Sequence, residues 1–206
     1  MIEISLIPVY LVALAAVYLA PGPDMALVMA TASRNGARAG LLSALGIAAA
    51  RFAHAMGSGL GLAALLAAHP LLYDGVRAAG AIYLAWLAVK LWRAPAGDGS
   101  SQAQEALTPL SAVLRGFATN LLNPKALLFC GMLLPQFASP GRGPLLPQFV
   151  WLGAVLVAVG FVFDTAYALA ASGIARRCRV PAKFERVRNR AMGSVFFALA
   201  VRLAAG

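Results

Sequence analysis

Pro21-Gly22-Pro23-Asp24 sets two helix breakers and a carboxylate inside a stretch that is otherwise apolar from residue 4 to residue 32. A bare hydrophobic span has no use for Asp24, which costs about 3 kcal/mol at the centre of a bilayer helix. Proline at 21 and 23 removes two backbone donors and Gly22 packs little, so the pattern predicts a helix that unwinds here and restarts after Pro23. At membrane depth such a break is tolerated where the freed groups line a cavity or are buried in protein. Two readings are open at this stage: a proline kink beside a buried, satisfied Asp24, or a break that serves a function.

Composition narrows the field. The chain has 206 residues, 61% hydrophobic and 12% charged, with a mean hydropathy of +0.80, far more apolar than a soluble domain of this size requires. It reads as an integral membrane protein, and a soluble fold is excluded. A net charge of +10 is compatible with nucleic-acid binding, but the bases sit in short segments between apolar runs, where anionic headgroups and topology account for them. No nucleic-acid module is expected. Cys130 lies in an apolar run and Cys178 in a basic loop, without CxxC or metal-ligand spacing, so neither a disulfide nor a metal site is indicated.

Met1-Ile2-Glu3 places no basic residue before the first apolar run, which is too long for a signal h-region, so it reads as a retained first span. Six apolar stretches reach or approach the about 20 residues of a bilayer crossing, near 4–33, 40–68, 71–92, 111–137, 146–174 and 191–205. The last is short, and Arg202 near its end must snorkel to the surface. Residues 94–108 are polar and small, a connector between two halves. The expected fold is a single all-α membrane domain over 1–206, with one three-helix repeat over about 4–93, a cytoplasmic linker over about 94–110 and a second repeat over about 111–206.

Loop charges orient these spans. Loops one, three and five carry twelve bases, seven of them in the run from Arg176 to Arg190, whereas the opposite side has only Arg77, Arg142 and Arg202. By the positive-inside rule the odd loops are cytoplasmic and both termini face outward. Two bases remain, Arg51 in span two and Lys125 in span four, and two acids, Asp24 and Asp164, lie deep in spans one and five. These four charges sum to zero. They can pair as structural glue, but at about 3 kcal/mol each inside a membrane they are an expensive device for stability alone.

The second half echoes the first. Asn123-Pro124-Lys125-Ala126-Leu127-Leu128-Phe129 repeats the breaker-then-charge order of Pro23-Asp24-Met25-Ala26-Leu27-Val28-Met29 at an offset of 101 residues. With three spans in each half the second enters from the opposite side, so the repeat must be inverted. Inverted repeats with helices 1 and 4 broken at matching positions accompany substrate sites at the bilayer midplane. A transporter is the leading reading.

The Pro21-to-Asp24 motif, Gly40 and Gly46 opening span two, the stretch GFATNLLNPK from Gly116 to Lys125, and Asp164 followed by Tyr167 resemble the LysE/RhtB family of amino-acid exporters over about residues 6–205. The resemblance implies a six-span protein of the inner membrane that exports amino acids or close derivatives, driven by the proton gradient with no bound cofactor. It leaves open which amino acid, since lysine, threonine, homoserine and leucine exporters look alike at this level. Arg51 and His54 match no motif of the family.

An amino acid presents an ammonium and a carboxylate, and a buried site must answer both. Asp24 and Asp164 are the candidate ammonium partners, and either can also exchange a proton. Lys125 is the candidate carboxylate partner, with the free amides of the half-helix after Pro124 or of the one after Pro23. Asn120 and Asn123 can cap the broken helix or contact the cargo, with capping the expected role. Arg51, His54 and Ser58, at i, i+3 and i+7, share a helical face toward the bundle or a water path. His54 is a candidate proton relay or an interior hydrogen-bonded residue. Tyr167, three residues after Asp164, can bond the carboxylate's neighbour or its ligand. Gly57 and Gly61 form a small-xxx-small pair, suited to a compact bundle or a homodimer. Two rivals stand beside the exporter: an intramembrane aspartyl protease using Asp24 and Asp164, which needs neither Lys125 nor an inverted repeat, and a passive channel with the same polar lining.

Overall fold

A computed structural model of the chain describes residues 4–61, 70–93, 107–177 and 182–205, and within them every regular element is helical. The connector expected over 94–108 lies almost wholly outside the described residues, as does Cys178.

The first expected span is two helices, α1 (Ile7–Leu19) and α2 (Pro23–Asn35), of 13 residues each. Each is about 20 Å long, too short to cross a hydrocarbon core of about 30 Å alone. They meet at a bend of 57°. Its cause is local: a residue before proline is pushed out of the α region, and Ala20 (φ −68°, ψ 125°) and Gly22 (φ −166°, ψ 178°) are both extended. Pro23 then opens α2, where its missing N–H would have had no helical partner.

The chain continues through α3 (Ala37–Gly59), α4 (Pro70–Trp92) and α5 (Pro109–Leu121), the last begun by Thr108, whose side chain accepts from the Ser111 amide at 3.2 Å. The second break follows the same rule as the first: Asn123, before Pro124, is extended (φ −88°, ψ 107°). What restarts is not a regular half-helix. A five-residue α6 (Pro124–Leu128) gives way to a π-helical turn over Phe129–Leu133 and a 3-10 turn over Leu134–Phe137, and the path bends by 63°. Then come α7 (Leu145–Arg177), 33 residues, and α8 (Ala182–Ala205).

Among the described residues, α3 and α7 are long and apolar enough to cross a membrane, and counting each bent pair as one span brings the number to four. Three boundaries depart from expectation. The helix of the second span, α3, ends at Gly59, and Gly61 sits beyond it at φ +83°, so Gly57 and Gly61 do not share a helical face; the expected remainder of that span over 62–68 lies outside the described residues. The basic stretch read as a loop is largely helix: α7 runs to Arg177, and α8 starts at Ala182 and includes Lys183, Arg186, Arg188 and Arg190. Lys and Arg are good helix formers, so a helix can continue past its apolar section.

α3 is the central element, packed on α2, α5 and α7. Its buried positions are mostly small, among them Gly40, Ser43, Ala44, Gly46 and Ala50, which brings neighbouring backbones close. At the α3–α5 crossing an added Cβ on Gly46 would overlap the Val113 carbonyl, and one on Gly116 would overlap the Ser43 carbonyl. Val28 and Ala32 of α2, Ala44 and Ile47 of α3, and Ala168 and Ala171 of α7 form a second packed layer. α4 and α8 pair outside α2 through Leu84, Leu87 and Phe196. α1 lies on α7, where Tyr10 donates to the Leu152 carbonyl at 2.8 Å and Tyr18 to the Leu156 carbonyl at 2.7 Å.

Gln148 ties the turn before α7. Buried, it donates to the carbonyls of Ser139 (2.9 Å), Gly143 (3.1 Å) and Pro144 (3.3 Å), and accepts from the Ser139 amide at 3.0 Å. Gln148→Leu keeps the volume and strands these groups, at an expected cost of about 1–3 kcal/mol. The check is a lower unfolding temperature in detergent with cargo affinity unchanged.

Candidate functional site

The two breaks face each other, and Asp24 joins them. As the second residue of α2 it accepts from the Asn123 side chain at 3.1 Å through Oδ1 and from the Asn120 side chain at 2.7 Å through Oδ2. Both donors flank the second break. Oδ2 also faces Arg51 Nη2 of α3 at 3.4 Å.

Arg51 is shared between two carboxylates. Its Nη1 donates to Asp164 Oδ2 at 2.6 Å and its Nη2 to Asp164 Oδ1 at 3.3 Å, a forked pairing that fixes both planes. The three side chains are 5% (Arg51), 15% (Asp24) and 2% (Asp164) exposed, so Asp24 is the most open of them. The Tyr18 ring lies under the guanidinium, 4.7 Å from carbon to centroid. Gly160, one turn before Asp164, makes the room: a Cβ there would collide with Arg51 Nη1 and stand 2.8 Å from the Tyr18 ring. Tyr18 and Gly160 are absent from the residues singled out in the sequence. The signal for Gly160 was its i−4 relation to Asp164, and for Tyr18 there was none.

Lys125 has a role the sequence does not reveal. Its Nζ donates to the carbonyls of Val17 (2.5 Å) and Ala20 (2.8 Å), so it closes the C-terminal end of α1 across the first break. Gly22 lies beside it, and an added Cβ there would rest 3.7 Å from the lysine's Cδ and Nζ. Neither φ nor space therefore demands glycine at 22.

The asparagines divide. Asn123 caps α6, its side-chain oxygen accepting from the Lys125 amide at 3.0 Å while its nitrogen serves Asp24. Asn120 caps nothing with its side chain, contrary to the expectation of capping, because it is turned to Asp24. The Lys125 amide is thus taken and α6 is one turn long, which leaves α2, without a side-chain cap, as the half-helix with open N-terminal amides.

His54 and Ser58 are buried on the α3 face of Arg51. His54 Nε2 meets the Asn120 carbonyl at 3.2 Å, which makes that nitrogen the N–H donor. Tyr167 donates to the Tyr18 carbonyl at 2.9 Å, not to Asp164 or its neighbour.

A cavity of about 50 Å3 lies at this junction, and its lining takes in Asp24, Arg51, Asn120, Asn123, Lys125 and Asp164, with Tyr18 and Tyr167 beside them and Met25, Phe129 and Leu156 on its apolar side. Gly22 also borders it, and His54 does not. Among the described residues no group of three or more His, Cys, Asp or Glu is placed to hold a metal ion. Chemically the site is a set of opposite charges already paired around a small cavity, able to exchange partners with a molecule that carries both signs.

A family model described as LysE type translocator matches residues 15–206. The homoserine/homoserine lactone efflux protein of Salmonella typhimurium is 31% identical over 195 residues, covering 95% of this chain and 94% of that protein. The leucine efflux protein of Klebsiella pneumoniae is 31% identical over 196 residues, covering 95% and 92%. An uncharacterized membrane protein of Vibrio cholerae is 29% identical over 195 residues, covering 95% and 94%. No solved structure matches the chain. The matched region holds both breaks and every charge of the junction, and on that extent the chain belongs to the LysE type translocator family, a membrane-embedded transporter and not an enzyme.

Proposed function

We propose that the chain is a secondary active exporter of amino acids or close derivatives across the inner membrane, coupled to the proton gradient. The observation that carries this reading is the cavity in which both proline breaks, the Asp24–Arg51–Asp164 triad and Lys125 meet. The names of two relatives, which concern homoserine, its lactone and leucine, support the same class of cargo.

Asp24, Arg51, Asp164 and Lys125 each have a partner, so a zwitterion enters by exchanging pairs rather than by stripping water from new charges. Its ammonium takes a carboxylate from Arg51, and its carboxylate turns to Arg51, Lys125 and the open amides at the start of α2. When the cargo leaves, Asp24 or Asp164 takes up a proton and carries it the other way. These two acids, rather than His54, are the exchanging groups, because both line the cavity and His54 does not. A cavity of about 50 Å3 favours a carrier that opens around its cargo over a standing pore.

In this reading the six helical units, α1 with α2, α3, α4, α5 with α6, α7 and α8, form one domain of two inverted repeats joined by a cytoplasmic linker, with both termini outside. The matching breaks at Pro23 and Pro124 and the loop charges support it. A homodimer is compatible with it.

Efflux of preloaded radiolabelled leucine and homoserine from proteoliposomes tests the function. Wild type should export at least one of them uphill when a pH gradient is imposed, and Asp24→Asn and Lys125→Met should each lower the rate about tenfold or more, the loss expected for one charged contact. Movement of neither amino acid, or normal export by both variants, would sink the assignment.

A further inference from the structure

We infer that the last turn of α1 is a movable wall of the cavity and that Gly22 is the pivot on which it turns, with Lys125 and Tyr167 holding it shut. The inference rests on the export reading above and names the residue that sets how readily the site opens.

Val17, Tyr18 and Ala20 line the cavity from the end of α1. The helices around its other sides are fixed to one another. An added Cβ on Gly40 of α3 would stand 2.7 Å from the Ala32 Cβ of α2 and 3.0 Å from the Ala168 Cβ of α7, and the α3–α5 crossing sets backbone against backbone at Gly46 and Gly116. α1 has no glycine and meets the bundle along one ridge, Tyr10, Leu14 and Tyr18, while Val9, Val12 and Leu19 face away from the protein. It can part from its neighbours without undoing such backbone contacts.

The end of α1 is held by side chains that the break itself calls for. The helical partner of the Val17 carbonyl would be the amide of residue 21, and Pro21 has none. The Tyr18 carbonyl would look to Gly22, which is extended and outside the helix. Donors from two other elements take their place: Lys125 Nζ serves the carbonyls of Val17 and Ala20, and the Tyr167 hydroxyl serves that of Tyr18. Both donors line the cavity, so what fills the cavity touches what holds the wall.

The bend concentrates its freedom in one residue. Pro21 and Pro23 have φ fixed near about −65°, and Ala20, before a proline, is confined to extended backbone, where it lies at φ −68° and ψ 125°. Gly22 alone is unrestrained by a ring or a Cβ. At rest it is extended, with open space where a Cβ would go, so the closed structure gives no reason for glycine. An open state does: alanine before Pro23 would be confined as Ala20 is, whereas glycine also reaches positive φ.

The test uses the full chain, with leucine and homoserine as probes. Gly22→Ala should unfold at the wild-type temperature or slightly above, because the resting backbone accepts alanine. It should be stabilised in detergent by either amino acid within a few-fold of the wild-type concentration, yet export at saturation about tenfold more slowly, as a stiffened hinge does. A second readout is Cys130, which is buried in the cluster of Tyr10, Leu14 and Tyr18 and lines the cavity, so that lifting α1 uncovers it. With Cys178→Ser as background, a membrane-permeant maleimide should label Cys130 several-fold faster in Tyr167→Phe, where one fastening is lost, and more slowly in Gly22→Ala. If Gly22→Ala does not fold, labelling of Tyr167→Phe decides alone. Wild-type export by Gly22→Ala, or a loss of affinity that accounts for its slower export, overturns the pivot and leaves export standing. Unchanged labelling in Tyr167→Phe overturns the movable wall. Failure of the wild type to move either amino acid overturns the inference and the export reading together.

Discussion

Arg51→Met should abolish export and cost about 3–5 kcal/mol of stability, because it leaves the buried Asp164 and the part-buried Asp24 without their shared counter-ion. Asp164 loses both arms of its forked bond, and with 2% of its side chain exposed it has little water to turn to. Asp24 is spared in part, since two asparagine amides still reach it. A second change separates folding from function. Arg51→Met with Asp164→Asn removes the stranded charge, so the double variant should recover much of the unfolding temperature and none of the export. Arg51→Lys should fail at export as well, because an ammonium cannot present a planar fork to one carboxylate while facing another. Thermal unfolding in detergent and proteoliposome efflux report the two quantities; a single Arg51→Met variant that unfolds and exports like wild type would end the account of the triad.

Gly46→Val should prevent assembly altogether. At the α3–α5 crossing the new Cβ would overlap the Val113 carbonyl and stand 2.8 Å from the Phe117 amide nitrogen, and both are backbone atoms. Overpacking costs about 1–3 kcal/mol where side chains can shift, and here none is in the way to shift. The helices must part, and Asn120 on α5 parts from Asp24 and from Arg51 on α3. Size-exclusion chromatography after extraction should show no monodisperse peak. Gly75→Ala and Gly173→Ala, which place a Cβ where no other atom lies within 4 Å, should elute like wild type.

Features governed by neighbouring residues are legible in the sequence. Both breaks follow from a proline acting on the residue before it, and the cap by Asn123 is a local bond of two residues' reach. The four charges within apolar runs are legible too, because such a run makes a charge conspicuous. Their pairing is not. That Arg51 joins Asp24 to Asp164 depends on how α3 lies between α2 and α7, and the two acids are 140 residues apart in the chain. Lys125 is harder still, since its partners are two main-chain carbonyls, which leave no mark in a sequence. The glycine reading fails for a related reason: Gly57 and Gly61 have the right spacing, but the helix ends at Gly59, and the close approach occurs at Gly46 and Gly116. The irregular turns after Leu128 likewise carry no periodic signal.

A bacterial membrane stores its voltage at about 2.3 kcal/mol per elementary charge for each 100 mV, and any protein set into it is a place where that store can drain. The space at the junction of the breaks, about 50 Å3, has room for a few waters at about 10–15 Å3 each, short of a file across a hydrocarbon core of about 30 Å. Asp24, Arg51, Asp164 and Lys125 sum to zero and each is held by a partner, so the field across the membrane finds no net charge at the junction to pull on.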